Sequence, residues 1–410
     1  MNVGNVRQRL LLKNIGQSLL RVLRRFPVGV TLLFFLSLML AVFLTEPHLM
    51  SRAAGCLFYF FWGGLLIDLV VSLWGEEQAG RRRPVAEGVL FALWAAYCIW
   101  LYTTDYTLES DWSFLLGNAA WITAVMVLVP FVPFLGEKDD LKAWHFMMSL
   151  FLALLTGGLV SGVMLGGMEG LVLGTVVLFD INYGTLLPRL ILSVCLIFLF
   201  GMLFLSLVPE GERKHNDSAG MSPLLKKTVS WLLLPLLGCY MAVLYVYGVR
   251  ILVHWELPKG MLSWLVSVVM GGYVLCYMLL YPVVTDRQSW QSRLLTCWMP
   301  AAILPLLVLM TVGVIRRFAD YGVTTPRLYL LTLLLWFYAV CIVIMLSPRK
   351  RFRWIYLSFA ALFLLSSGQP FNYFHIGRKL MKAGTESVVS EKELQQPLEQ
   401  EVPEYNNPSL

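Results

Sequence analysis

Charged residues are scarce in this sequence. Asp, Glu, Lys and Arg together make up 14% of its 410 residues, whereas soluble domains carry about 25%. Apolar residues make up 58%, and the mean hydropathy is +0.70. A soluble globule of this length could not bury so much apolar surface, because folded domains keep a wide polar exterior. The composition excludes a soluble enzyme, a disordered chain and a disulfide-stapled secreted domain, and it indicates an integral membrane protein.

The sequence also lacks the usual motifs of catalytic and metal sites. The seven cysteines contain no Cys-x-x-Cys pair and the five histidines are scattered, which argues against a zinc or redox site. A Walker loop and the motifs His-Glu-x-x-His, Gly-x-Ser-x-Gly and those of protein kinases are missing as well. We therefore predict no cofactor and no metal, and a non-enzymatic protein is favoured over an enzyme.

Eleven apolar segments are long enough to be considered as transmembrane helices, which need about 20 residues each. The last is the weakest, because its apolar run ends at Leu365 and the polar stretch Ser366–Pro370 follows. It could span fully, be broken or re-enter the membrane. We predict an all-α fold, a polytopic membrane helix bundle of about eleven transmembrane helices. The segments are 27–45, 55–74, 86–104, 114–135, 146–166, 187–207, 228–251, 262–281, 298–315, 328–347 and 354–370.

The placement of Lys and Arg predicts the orientation. The net charge is +7, and the basic residues lie beside the apolar segments, which indicates anionic lipid rather than nucleic acid as the partner. With the N-terminus inside the cell, most Lys and Arg fall on the inner side, as the positive-inside rule requires. The strongest inner markers are Arg81–Arg83 and Arg349–Arg353. We predict the N-terminus inside, the C-terminus outside and an uncleaved first span.

The sequence divides into three regions. Residues 1–26 are predicted to form an amphipathic basic helix on the inner membrane face, with lipid as its partner, although a regulatory partner could use the same face. Residues 27–374 form the transmembrane helix bundle. Residues 375–410 form an acidic tail whose composition predicts disorder. On the first helix the apolar face carries Leu12, Ile15, Leu19, Val22, Leu23 and Phe26, and the opposite face carries Arg7, Arg9, Lys13, Arg21, Arg24 and Arg25.

A ladder of glycines marks the fifth segment. Glycine at every fourth position lets another helix approach closely, so we expect a packing face within the bundle, with a hinge helix or a homo-oligomer contact as alternatives. Beyond Gly167 the segment carries Glu169 and Asp180, and we expect it to leave the membrane and lie along the outer surface. The ladder consists of Gly158, Gly162, Gly166, Gly170 and Gly174.

Five basic residues in the second half of the chain depart from the positive-inside rule and lie on the predicted outer side. Clustered guanidinium groups suit a lipid headgroup or a phosphorylated or carboxylated envelope molecule. The alternative is local pairing, of Arg316 or Arg317 with Asp320 and of Arg250 with Glu256. The five anion-binding candidates are Arg250, Lys259, Arg316, Arg317 and Arg327, and their candidate charge partners are Glu256 and Asp320.

Two carboxylates lie at membrane depth. Asp68 is two turns from the inner end of the second segment, and Glu87 is just inside the third. Intramembrane carboxylates are candidates for proton coupling, because a buried charge is costly. Asp68 could instead be hydrated or paired with the arginines at 81–83.

Four short motifs carry a resemblance to a known family. They are Arg24–Pro27, Arg250–Gly260, Asp320–Thr324 and Ser367–Phe371. Together they resemble a family of bacterial polytopic membrane proteins that is described only as a domain of unknown function. The resemblance covers residues 20–382 and implies a bacterial inner-membrane location, without implying an activity. The family's last motif usually reads more like Gly-Pro-Trp/Phe-Ser; here Gln369 intervenes, which puts a shared role for that turn in doubt.

Three functions remain open. Transport or handling of an anionic lipid or envelope component is favoured by the many spans and the basic outer loops. A scaffold or sensor that acts through the glycine face comes second, and an intramembrane enzyme that uses Glu256 or Asp320 as a base on lipid-linked substrates comes third. Against transport, the sequence shows no convincing internal repeat and no matched pair of broken helices.

Overall fold

All described secondary structure in this protein is helical, which confirms the all-α fold. The computed structural model describes residues 17, 19–49, 51–77, 83–103, 112–134, 136, 140–180, 183–211, 214, 221–254, 261–286, 289–321, 324–346 and 352–367. In these ranges nine helices are long and apolar enough to cross a membrane, and two shorter apolar helices occupy the other two predicted segments. The chain is a multi-pass membrane protein. The tail 375–410 lies outside the described residues.

Eleven helices account for the predicted spans, and we number them in chain order. Their bounds are α1 Pro27–Thr45, α2 Arg52–Glu77, α3 Arg83–Thr103, α4 Trp112–Leu128, α5 Asp140–Phe179, α6 Leu186–Leu207, α7 Pro223–Ile251, α8 Met261–Leu279, α9 Trp290–Ala319, α10 Thr325–Leu346 and α11 Arg353–Ser367. Helical residues continue after α7 to His254 and after α9 to Tyr321. Short helical turns also occur at Pro47–Leu49, Val129–Phe134 and Tyr281–Thr285.

Two of these helices are shorter than a membrane-spanning helix. Helix α4 has 17 residues and gives way to the 3-10 turn Val129–Phe134. Pro130 and Pro133 lie in that turn, and proline cannot donate the hydrogen bond that would continue an α-helix. Helix α11 has 15 residues. The fourth and eleventh predicted spans are therefore the weakest of the eleven.

Helix α5 is longer than predicted. It runs for 40 residues without a break from Asp140 to Phe179. At 1.5 Å per residue its length is about 60 Å, about twice the hydrocarbon core of a bilayer. The helix therefore continues through Gly167, and a course along the outer surface beyond that point stays a prediction.

The chain divides into two compact units. Unit 1 consists of residues 1–111, 122–223 and 351–360, and unit 2 of 112–121, 224–350 and 361–410. Within unit 1, α2 packs against α1 and α3, and α5 packs against α6. Within unit 2, α9 packs against α7, α8 and α10.

Two helices of unit 2 contain a π-helical turn that ends just before a proline. Val229–Leu233 precedes Pro235 in α7, and Leu294–Trp298 precedes Pro300 in α9. Proline lacks an N–H group and its ring crowds the carbonyl four residues earlier, so the helix widens locally.

The π-helical turn of α6 has a different cause. It covers Val194–Leu199 and contains no proline. Two serine hydroxyls from neighbouring helices donate to carbonyls where this turn begins. Ser37 of α1 donates to Ser193, the residue just before the turn, at 3.2 Å, and Ser161 of α5 donates to Cys195 within it. Hydroxyls that insert into the hydrogen-bond ladder distort a helix in this way.

Candidate functional site at the charged end of unit 1

Charged side chains gather at one end of unit 1, where α1, α3 and α5 begin and α2 and α6 end. We call this the charged end. Its central network, the charged cluster, joins residues that are up to 189 positions apart, 214 minus 25, in the sequence. The charged cluster consists of Arg25, Asp68, Ser72, Glu76, Glu77, Arg83, Glu87 and Lys214.

Arg25 ties the start of α1 to the ends of α2 and α6. Its guanidinium forks onto Glu76, with Nε 2.6 Å from Oε1 and Nη2 3.1 Å from Oε2. It also donates to the carbonyls of Val208 and Pro209, at 2.7 and 2.8 Å. These carbonyls follow the last residue of α6, where the helix dipole favours a cation. The side chain is only 11% exposed. The amphipathic pattern of residues 1–26 had instead predicted Arg25 on the polar face, beside the lipid headgroups.

Lys214 is the buried cation of the cluster. It is 2% exposed, and its ammonium contacts Glu76 and, at 3.3 Å, Glu77. A buried ammonium is tolerated only when carboxylates compensate for its lost hydration. Lys214 gave no signal in the sequence, because it lies in a polar loop and its partners Glu77 and Glu76 are 137 and 138 positions away.

Asp68 caps the N-terminus of α1. The carboxylate is 1% exposed and accepts hydrogen bonds from the Ser72 hydroxyl, at 3.4 Å, and from the backbone N–H of Gly29. No side chain of its own helix caps α1, whose N-cap residue is Phe26. The first N–H groups of a helix need an acceptor, and here α2 supplies it. A Cβ at residue 29 would collide with the Asp68 carboxylate.

Arg83 connects Asp68 to Arg25. Its Nη2 donates to the Ser72 hydroxyl at 2.8 Å and to the Arg25 carbonyl at 3.0 Å. Its Nε lies 3.8 Å from Glu87. Of the three arginines at 81–83, Arg83 is the one within the described residues, and it reaches Asp68 through Ser72. The two carboxylates at membrane depth, Asp68 and Glu87, therefore belong to one network.

A pocket of about 460 Å³ adjoins the charged cluster. Arg21 and Arg25 line one side, while Leu152 of α5 and Leu205 of α6 line another. Arg21 is 60% exposed and lies 3.6 Å from Glu210, which also lines the pocket. Guanidinium groups beside an apolar wall suit a molecule with an anionic head and an apolar tail.

A second ion pair at the charged end joins α11 to α5. Arg353 Nη2 lies 2.9 Å from Asp140 Oδ1, and Arg353 also donates to the Phe134 carbonyl. Both charged residues are buried. The sequence signalled Arg353 only as part of a basic run that marks the inner face. The pair acts as a structural clamp between two helix starts.

The predicted anion site is only partly covered by the described residues. Arg250 and Arg316 are exposed, and Arg317 and Arg327 are half-buried. Lys259, Glu256 and the side chain of Asp320 lie outside the described part. The grouping of the five basic residues and their pairing with carboxylates therefore stay predictions. Among the described residues, no group of three or more His, Cys, Asp or Glu could hold a metal ion.

The glycine ladder lies beside the contact between α5 and α6 rather than within it. A Cβ at position 157 would lie 3.4 Å from the backbone nitrogen of Phe204 in α6, so Gly157 lies in the contact. The Ser161 hydroxyl, on the same side, donates to the Cys195 carbonyl of α6. Of the ladder itself, Gly158 has a described neighbour, Phe200. A Cβ at any of the other ladder positions would meet no described atom within 4 Å: Gly162, Gly166, Gly170 and Gly174.

The chain is similar to one known protein family over most of its length. The profile of a family described as Domain of unknown function (DUF4153) matches residues 30–374. The chain therefore belongs to this family, in agreement with the resemblance seen in its motifs. No curated protein and no solved structure matched the chain.

Proposed function

We propose that this family member binds and handles an anionic amphiphile, either a lipid or an envelope component, in the bacterial inner membrane. The observation that carries the proposal is the pocket of about 460 Å³ that places Arg21 and Arg25 beside the apolar side chains of α5 and α6. Its size falls in the range of small-molecule sites, roughly 300–1,000 Å³.

The two arginines have different roles in this proposal. Arg25 is held by Glu76 and by two carbonyls, so it forms a fixed wall of the pocket. Arg21 is exposed and contacts Glu210 at 3.6 Å, a long ion pair between exposed groups. Such a pair is weak, and an incoming phosphate or carboxylate can replace Glu210. The apolar tail would then lie against Leu152 and Leu205.

The proposal places the charged end on the inner side of the membrane. The basic segments that precede α1 and α3 support this orientation through the positive-inside rule. Reporter fusions test it: fusions at Gln78 and Asn216 should read inside, and fusions at Thr107 and Val388 outside. The five predicted outer basic residues remain a second proposed anion site on the opposite side.

Lipid retention provides the direct test of the pocket. We expect the purified protein in nanodiscs to retain phosphatidylglycerol over phosphatidylcholine, measured by native mass spectrometry. Arg21→Gln should weaken this preference about 5- to 10-fold, because it removes the guanidinium that can pair with the headgroup. Arg24→Gln is the matched control, since Arg24 is exposed and is not among the residues that line the pocket. Equal losses in the two variants would contradict the proposal.

A scaffold function is the second candidate. It is favoured by the glycine positions of α5 that meet no described neighbour, because small residues in an apolar helix allow close contact with another helix. We propose a second copy of this chain as the partner. An intramembrane enzyme that uses Glu256 or Asp320 as a base on lipid-linked substrates is the third candidate.

A further inference from the structure

The hairpins α7–α8 and α9–α10 are related by a constant offset along the sequence. Their π-helical turns start at Val229 and Leu294, which are 65 positions apart, 294 minus 229. When the two turns are aligned, this offset of 65 residues also places four pairs of identical residues opposite one another. The pairs are Pro235 with Pro300, Gly248 with Gly313, Tyr273 with Tyr338, and Cys276 with Cys341. The expectation that there is no internal repeat and no matched pair of interrupted helices is therefore corrected.

We propose that the π-helical turn of α9 is a hinge and that the Tyr273 hydroxyl is its latch. In this turn the Met299 N–H bonds to the Leu294 carbonyl, five residues back. The next carbonyl, of Leu295, would need the N–H of residue 300, which is a proline. The Tyr273 hydroxyl from α8 donates to the Leu295 carbonyl instead, at 2.8 Å. Tyr273 is fully buried, so the hydrogen bond is shielded from water.

Two further tyrosine hydroxyls hold α9 along its length. Tyr245 of α7 donates to the Ala302 carbonyl, and Tyr338 of α10 lies 2.9 Å from the Thr311 hydroxyl. A second interior proline, Pro305, weakens the same stretch. The prolines of α9 thus remove backbone hydrogen bonds from the helix, and neutral hydroxyls of its neighbours hold it. Each of these hydroxyls adds little to the free energy of unfolding, and breaking its hydrogen bond leaves no buried charge unpaired.

The first hairpin provides an internal comparison. In α7 the Leu234 N–H bonds to the Val229 carbonyl, and Pro235 leaves the Ser230 carbonyl without a donor from its own helix. Within the described part of the chain no hydroxyl takes its place, and the buried Ser230 hydroxyl has no partner either. The turn of α7 therefore corresponds to the turn of α9 without the tyrosine hydrogen bond.

Hydrogen exchange of the full chain in nanodiscs tests the latch. In the unchanged protein we expect the amides that follow the α7 turn to exchange faster than those that follow the α9 turn. Tyr273→Phe should raise exchange around residues 294–304 about 2- to 10-fold, the effect of one hydrogen bond. Tyr247→Phe, on the same helix as Tyr245, should leave these amides unchanged.

Pro300→Ala makes the test specific. It restores the missing N–H, so Tyr273→Phe should have no effect on exchange in a Pro300→Ala background. An equal effect in both backgrounds would show that Tyr273 acts through packing and would overturn the latch. If Tyr273→Phe fails to fold, the two turns of the unchanged protein decide the question, because equal exchange in α7 and α9 overturns the proposal.

Discussion

The two units of this protein hold their helices together by different means. The charged end of unit 1 uses ions: Arg25, Lys214 and Arg353 are each buried or nearly buried against carboxylates. Unit 2 uses neutral hydroxyls, as in the bonds of Tyr273 and Tyr245 to α9. Removing one partner of a buried ion pair strands a charge, whereas removing a hydroxyl loses one modest hydrogen bond. The charged end of unit 1 is therefore built to be rigid, and α9 of unit 2 is built to bend.

The π-helical turns show the same contrast. The turn of α6 in unit 1 exists because Ser37 and Ser161 reach in from other helices. The turns of α7 and α9 in unit 2 exist because of Pro235 and Pro300 in their own sequence. Replacing Ser37 and Ser161 should return the α6 turn to regular α-helix. Replacing Pro235 or Pro300 should do the same for the turn of α7 or α9.

The largest effect should come from Arg25→Ala in unit 1. The change removes two hydrogen bonds to Glu76, which keeps Lys214 as its other cation, and leaves the Val208 and Pro209 carbonyls without their donor. We therefore expect a loss of about 2–4 kcal/mol in the free energy of unfolding. Arg24→Ala, which removes an exposed neighbour, should stay within about 0.5 kcal/mol. Denaturant unfolding in mixed micelles measures both. A loss for Arg25→Ala no larger than that for Tyr273→Phe would remove the proposed difference between the two units.

A middle-sized effect should come from Gly29→Ala. The added methyl group would collide with the Asp68 carboxylate, and overpacking of this kind costs about 1–3 kcal/mol. Gly88→Ala in α3 is the matched control, because a Cβ there meets no described atom within 4 Å. It should be neutral or stabilise by up to about 1 kcal/mol, since alanine favours the helix. If the two variants unfold alike, Asp68 does not cap α1 tightly.

The smallest effect on the stability of the single chain should come from Gly166→Leu. The position faces no described neighbour, so we expect a change within about 0.5 kcal/mol, typical of open surface sites. If the glycine ladder is an oligomer face, the same variant should shift the protein from dimer to monomer, measured by mass photometry in nanodiscs. An unchanged mass would leave the ladder without a role in self-association.

Much of the fold could be predicted from the sequence. Helix α1 begins and ends at the residues expected, Pro27 and Thr45, and all eleven apolar segments are helical over most of their described residues. The prediction was less accurate for α5, because an apolar helix of 40 residues has no end signal in its composition. The short α4 could have been read from Pro130 and Pro133.

The site was predicted less well. The sequence singled out Asp68 as a carboxylate at membrane depth, and its role in proton coupling stays a prediction. Its contact with α1 depends on Gly29, which is 39 positions away, 68 minus 29. Lys214 gave no sequence signal, since a lysine in a polar loop is normally exposed. The 65-residue repeat became visible only when the π-helical turns fixed its register.

The sequence by itself determined that the chain crosses a membrane many times as helices. The reason is local: hydrocarbon offers no partner for backbone polar groups, so each apolar run of about 20 residues must satisfy its own hydrogen bonds as a helix. The tertiary structure alone decided which charges and hydroxyls meet. Arg25 finds Glu76 and the end of α6, and Tyr273 finds the Leu295 carbonyl, because such pairs form only once helices distant in sequence pack side by side.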